Sequence, residues 1–77
     1  MEVFPNPTTN QEIQISIETV NSEAVDLQLF RADGSLVNSK TVSGNNTTVV
    51  QLDAKGFYFL RVLQNGQTVG YQKIVAQ

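Results

Sequence analysis

The sequence predicts an all-β protein, an antiparallel β-sandwich of about seven short strands. Apolar residues alternate with polar ones in most segments, as Ile13, Ile15 and Ile17 do with Gln14 and Ser16. A period of two places one face of a strand on a core and the other in water. No segment keeps apolar residues at helical spacing for several turns. Turn-forming residues separate the segments, at Asn21-Ser22, Ala32-Asp33-Gly34-Ser35, Gly44-Asn45-Asn46 and Asn65-Gly66.

The length and composition predict a single small domain. The chain has 77 residues, of which 40% are hydrophobic and 16% charged. This is an ordinary globular balance near the lower size limit for one hydrophobic core. Met1 is followed at once by patterned sequence, so we expect residues 1–77 to be one domain excised from a larger protein.

The charge and the missing residue types argue against several classes of function. The net charge is −2 and the five basic residues are scattered singly, so nucleic acid is not expected as a partner. The sequence contains no cysteine and no histidine, which removes thiolate metal sites and most nucleophile–base pairs. The acids match no calcium-binding loop. We predict a protein that is not an enzyme and uses no cofactor or metal.

The N-terminal segment Phe4-Pro5-Asn6-Pro7 predicts an extended first strand. The prolines fix their own φ and favour extended conformations at Phe4 and Asn6. We expect Phe4 to insert into one end of the core. We also expect the Asn6 side chain to close a local turn with the threonines that follow Pro7.

A hairpin is predicted at Asp33-Gly34. It follows residues 25–29, in which every second residue is apolar and is expected to face the core. Aspartate tolerates and glycine favours the positive φ that such a reversal requires. Gly56 precedes another apolar segment. Both Gly34 and Gly56 are expected where the backbone needs room or a positive φ.

A second hairpin is predicted at Asn65-Gly66, which suits both central positions of a type I′ turn. A two-residue loop sets Tyr58 opposite Lys73 and places Lys73 on the inner face. That position requires either the rim of the sandwich or a β-bulge beside Gly70, and both interpretations stay open. On this register the core face of the hairpin holds Tyr58, Leu60, Val62, Val69 and Tyr71.

The aromatic residues of the same hairpin separate into two faces. Tyr58 is expected to bury its ring and to bond its hydroxyl to the backbone. Phe57 and Phe59 lie on the opposite face, which a sandwich leaves in solvent. Two neighbouring exposed rings predict a contact surface for a partner or a sugar.

Four blocks in this order resemble one family: Val3-Phe4-Pro5-Asn6-Pro7-Thr8, the segment Leu29-Phe30 to Leu36-Val37 around Asp33-Gly34, the segment Leu52 to Val62 around Gly56-Phe57-Tyr58-Phe59, and Lys73-Ile74-Val75. The chain resembles the Por secretion system C-terminal sorting domain, the type A signal of type IX secretion in Bacteroidetes. One position departs from the family pattern. Arg31 stands where family members often carry an acid.

This resemblance implies an immunoglobulin-like sandwich that acts as a C-terminal secretion signal. The domain is expected to pass with its cargo through the periplasm and to direct it through an outer-membrane translocon to the cell surface or medium. A sortase-type cysteine protease usually removes such a domain. The implied partners are the translocon, that protease and an upstream cargo domain.

The block positions are the candidate recognition residues: Phe4, Pro5, Asn6, Pro7, Asp33, Gly34, Gly56, Phe57, Tyr58, Phe59, Lys73, Ile74 and Val75. Each also has a structural interpretation, as an anchor, a turn or a core residue. The alternative function is an accessory carbohydrate- or protein-binding module of a secreted hydrolase. Exposed edge strands also suggest a homodimer of the isolated domain.

Overall fold

The computed structural model describes residues 1–18 and 23–77. Within these residues the chain forms seven β-strands and no helix. The turn predicted at Asn21-Ser22 lies outside them. The strands are β1 (Glu2–Phe4), β2 (Glu12–Ile17), β3 (Val25–Arg31), β4 (Leu36–Val42), β5 (Asn46–Gln51), β6 (Gly56–Gln64) and β7 (Gln67–Ala76).

The strands form two antiparallel sheets that pack face to face as a β-sandwich. A three-stranded sheet has the order β1-β2-β5, and a four-stranded sheet has the order β4-β3-β6-β7. In immunoglobulin lettering these are A-B-E and C′-C-F-G. The predicted all-β sandwich is confirmed.

The core follows directly from the alternation in the sequence. Every second residue of β2, β3 and β6 points between the sheets and is buried, while its neighbours face outward. Fully burying one such side chain contributes about 1.5–3 kcal/mol. The buried apolar residues are Ile13, Ile15, Ile17, Val25, Leu27, Leu29, Val50, Leu52, Tyr58, Leu60, Val62, Ile74 and Ala76.

Tyr58 forms a tyrosine corner near the start of β6. Its ring is buried, and its hydroxyl lies 2.7 Å from the Ala54 carbonyl oxygen and 2.9 Å from Asp53 Oδ1. The hydroxyl proton is donated to one of these acceptors at a time, and the hydroxyl oxygen accepts from the Ala54 N–H at 3.1 Å. This contact ties the loop after β5 to β6, as in immunoglobulin-like sandwiches. The predicted burial of the Tyr58 ring and the bond of its hydroxyl to the backbone are confirmed.

Both predicted hairpin turns form. Asn65 and Gly66 have φ values of 53° and 79°, as a type I′ turn requires at both central positions. Gly34 has a φ of 90°, and its N–H donates to the Arg31 carbonyl. Gly56 also has a positive φ, 137°. These backbone conformations confirm the reason for glycine at positions 34 and 56.

The predicted register of the β6–β7 hairpin is wrong beyond the turn. Gln64 pairs with Gln67 as expected, but a bulge then shifts the pairing, so that Tyr58 lies opposite Ile74 instead of Lys73. Val69 is the extra residue, because Val62 pairs with Gly70 and the next pair joins Leu63 to Thr68. The bulge beside Gly70 is therefore the correct interpretation of the two left open.

This shift exchanges the two faces of β7. Val69 and Tyr71, predicted on the core face, are 57% and 60% exposed, whereas Ile74 is fully buried. Lys73 lies on the outer face in water. The bulge interrupts the regular pairing of the two strands at one position, but it keeps the Lys73 ammonium in water. Burying that charge without a partner would cost more free energy than the interruption does.

Phe4 does not insert into the core. Val3 pairs with Ile15 and packs against the core, so the next side chain along β1 must point outward. Phe4 is accordingly 41% exposed. The alternation of a strand overrides the apolar character of this one residue.

Candidate recognition surface

The first and last blocks meet along the final part of β7. Asn6 does not close the predicted local turn. Instead its Nδ2 donates to the Lys73 carbonyl at 2.8 Å, and its Oδ1 accepts from the Val75 N–H at 3.0 Å. The side-chain amide therefore acts as a peptide group added beside the strand.

Thr8 continues this pairing with its backbone. Its N–H donates to the Val75 carbonyl at 2.9 Å, and its carbonyl accepts from the Gln77 N–H at 2.8 Å. Thr8 and Ala76 form an isolated parallel bridge. Thr8 is fully buried, and its hydroxyl donates to either the Glu12 carbonyl or Asn10 Oδ1. We call residues 6–8 the clasp, because they hold residues 73–77 against the sandwich.

The second block folds into a self-contained turn. Asp33 Oδ1 accepts from the Ser35 hydroxyl at 2.7 Å and from the Ser35 N–H at 2.9 Å. These two bonds, the hydroxyl first, hold the pKa of Asp33 below its ordinary value of 3.8. The arrangement is typical of an aspartate that stabilises a turn.

Arg31, the departure from the family pattern, forms a salt bridge with Asp53 in the loop before β6. The two side chains are 43% and 49% exposed, so the pair contributes at most about 1 kcal/mol. Asp53 also accepts from the Tyr58 hydroxyl. Arg31 thus links the second block to the third.

An open groove of about 330 Å³ lies between these two blocks at the end of the sandwich. It is the place where the turn around Asp33 and the start of β6 form one surface. Its lining comprises Arg31, Ala32, Asp33, Ala54, Lys55, Gly56, Phe57 and Tyr58.

The outer face of the four-stranded sheet carries aromatic rings interleaved with cations. Lys73 Nζ lies 4.5 Å from the centroid of the Phe57 ring. The Phe59 and Tyr71 rings stack with centroids 5.9 Å apart and an interplanar angle of 24°. Arg61 lies over the ring of Phe30, 5.5 Å from its centroid. We call this surface the aromatic strip: Phe30, Phe57, Phe59, Arg61, Tyr71 and Lys73.

The candidate residues differ in how far a partner can reach them. Phe57 is 51% exposed, as predicted, but Phe59 is half-buried. Tyr58 and Ile74 are buried and can act only by holding the fold. The remaining candidates are exposed at Phe4, Pro5, Asn6, Pro7, Asp33, Gly34 and Lys73, and half-buried at Gly56 and Val75.

Sequence reasoning missed two parts of this surface. The register predicted from the Asn65-Gly66 turn places Tyr71 in the core, and the combination of Gly70 with an inward-facing Lys73 is the signal for the bulge that exposes it. The contact of Asn6 with β7 spans almost the whole chain and has no local signal.

The surface has no features of a metal centre or a membrane span in the part of the chain described. Residues 1–18 and 23–77 contain no group of three or more acids that could hold a metal ion. The same residues contain no helix long and apolar enough to cross a membrane.

Comparison with known proteins identifies a family. Neither the curated proteins nor the solved structures give a match. The family model described as the secretion system C-terminal sorting domain matches residues 2–77, nearly the entire chain. The chain therefore belongs to the secretion system C-terminal sorting domains, the type IX signals that mark a protein for export to the cell surface or for secretion.

Proposed function

We propose that this domain is recognised in its folded form by the outer-membrane translocon of the type IX system. One observation carries the proposal. The four family blocks are spread over the whole sequence, yet contacts join them at one end of the sandwich. The clasp bonds to the last part of β7, which pairs with the start of β6, and β6 pairs in turn with the end of β3 beside the Asp33 turn. Residues 1–77 then act as one C-terminal domain that directs an upstream cargo domain from the periplasm to the cell surface or medium.

The state of the terminal block supports recognition of side chains on a folded surface. Residues 73–76 are the last part of β7, paired with β6 on one side and with the clasp on the other, and the Gln77 N–H also donates to Thr8. Their outer edge already has hydrogen-bond partners, so strand addition at that edge is disfavoured. The accessible features are the aromatic strip, the groove and the exposed proline segment.

In this proposal a partner protein, and not this domain, carries out the cleavage that follows export. The described residues offer a recognition surface, and a sortase-type cysteine protease supplies the cleavage that separates the domain from its cargo. A tag on the domain and a second tag on the cargo distinguish removal from retention. Secreted cargo that keeps both tags contradicts the cleavage step alone.

The aromatic strip is the observation that favours a second function, a carbohydrate-binding module. Exposed rings on a sheet face can stack on sugars, and Phe57 and Tyr71 are both more than half exposed. The isolated domain binding a polysaccharide, with loss of binding in Tyr71→Ser, is the result this function requires.

The test of the proposed function is a fusion of the domain, through a flexible linker, to a periplasmic reporter in a type IX-competent bacterium. We expect the reporter at the cell surface or in the medium. A reporter that stays in the periplasm while its domain is folded contradicts the proposal. A second fusion lacks residues 73–77. Unchanged secretion of that fusion shows that the translocon does not need the terminal block for recognition.

A further inference from the structure

The aromatic strip carries a local charge opposite to that of the whole chain. It contains two cations, Arg61 and Lys73, and no acid, whereas the chain has a net charge of −2. The nearest acid along β3 on the same outer face is Asp26, which pairs with Leu63 of β6. That carboxylate already accepts a hydrogen bond from the Thr41 hydroxyl. The strip is therefore complementary to an anionic partner.

Lys73 presents its ammonium to that partner. The side chain is exposed, and Nζ is held over Phe57. None of the described residues places a carboxylate within ion-pair distance of it. Arg61 differs, since two of its nitrogens donate to Gln28 Oε1. Of the two cations of the strip, Lys73 is thus the one whose ammonium N–H groups are available to a partner.

The contacts among the rings and cations leave only part of each ring surface open to a neutral sugar. A sugar stacks on an open ring face, but Phe59 and Tyr71 cover each other on one side. Cations cover one side of Phe57 and of Phe30. Two cations are also too few for nucleic acid or an anionic membrane, which are bound by clusters of basic residues.

We propose that the aromatic strip docks an acidic, partly apolar surface segment of an outer-membrane protein of the type IX system. A carboxylate of the partner pairs with Lys73, and apolar side chains of the partner pack on Phe57 and Tyr71. This inference rests on the proposed function and specifies the chemistry of its partner. Complementary charge sets orientation and encounter rate, while the exposed rings supply apolar contact area.

Charge variants in the reporter fusion give the first test. Lys73→Glu replaces attraction by repulsion and is expected to reduce secreted reporter by roughly tenfold or more, whereas Lys73→Arg stays within about twofold of the unaltered domain. Lys40→Glu is the matched control for the charge change, since Lys40 lies on β4 opposite the inward-facing Leu27 and away from the strip. Its Nζ donates to the Thr48 hydroxyl oxygen at 3.1 Å, so secretion is compared only between variants that are folded. The melting temperature of each variant checks its folding.

The outcomes separate this inference from the proposed function. Secretion of Lys73→Glu at the unaltered level, or equal losses in Lys73→Glu and Lys40→Glu, overturns the inference. Failure of the unaltered fusion to leave the periplasm defeats the proposed function instead.

A photocrosslinking amino acid at position 71 gives the second test, because Tyr71 is exposed beside Lys73 on the outer face. We expect an adduct with an outer-membrane protein, mapped by mass spectrometry to a segment that contains aspartate or glutamate. An adduct with polysaccharide, lipid, a second copy of this domain or a segment without acids overturns the inference, as does the absence of any adduct.

Discussion

The Tyr58→Phe substitution removes one oxygen atom from the tyrosine corner and leaves the buried ring in place. At any moment the hydroxyl donates one hydrogen bond, to Ala54 O or Asp53 Oδ1, and accepts one from the Ala54 N–H. Ala54 and Asp53 are exposed, so water can replace their lost partner. Two net hydrogen bonds of about 0.5–1.5 kcal/mol each give an expected loss of about 2 kcal/mol.

For a chain of 77 residues this loss lowers the Tm by about 8–16 °C. Thermal unfolding followed by circular dichroism measures it. Tyr71→Phe is the matched control, because the described residues offer no hydrogen-bond partner to the Tyr71 hydroxyl and the residue is 60% exposed. Equal Tm values for the two variants refute the structural role of the Tyr58 hydroxyl.

The Tyr58 hydroxyl also makes the free energy of unfolding depend on pH in the alkaline range. Burial raises the pKa of Tyr58 above its ordinary value of 10.0, and the hydrogen bond to Asp53 raises it further. The unfolded chain then loses this proton at a lower pH than the folded chain. The stabilisation is full below the unfolded pKa and is lost as the pH rises through the folded pKa. Urea midpoints measured across that range should fall less steeply for Tyr58→Phe than for the unaltered domain.

Three further predictions concern the clasp and the turns. Asn6→Ala removes both side-chain bonds to β7, which should cost about 1 kcal/mol and speed hydrogen exchange of the Val75 amide; an unchanged exchange rate contradicts the clasp. Gly66→Ala places a side chain at a φ of 79° and should cost about 1 kcal/mol in urea unfolding, with equal stability as the refuting result. Ser35→Ala should let the pKa of Asp33 rise toward 3.8 in an NMR titration. Because that folded pKa is depressed, the stabilisation is present above the unfolded pKa and is lost as the pH falls through the folded pKa.

The strand pattern was predictable because its cause is local. Alternation along β2 and β3 identifies the buried residues, and Asn65-Gly66 identifies its turn from residue type alone. The outward position of Phe57 follows from the buried position of its neighbour Tyr58, whatever partner strand lies beside them. These features depend on neighbouring residues, and the structure has them as the sequence indicates.

The candidate recognition surface was less predictable because its contacts span the chain. A single bulge beside Gly70 reverses the faces of β7, and the turn residues do not encode it. Lys73 and Gly70 together are the sequence signal, since a charged residue on an inner face indicates a wrong register and the glycine beside it suits a bulge. The bond from Asn6 to Val75 joins residues that are distant in sequence, and a proline-rich segment gives no indication of which strand it will accompany.

The most direct test of the central claim compares one reporter fusion in two strains, one with a working type IX translocon and one without it. The measurement is the fraction of reporter at the cell surface and in the medium, with the domain shown to be folded in both strains. We expect export in the competent strain and periplasmic retention in the deficient one. The same location in both strains would contradict the claim that this folded domain is the signal read by the translocon.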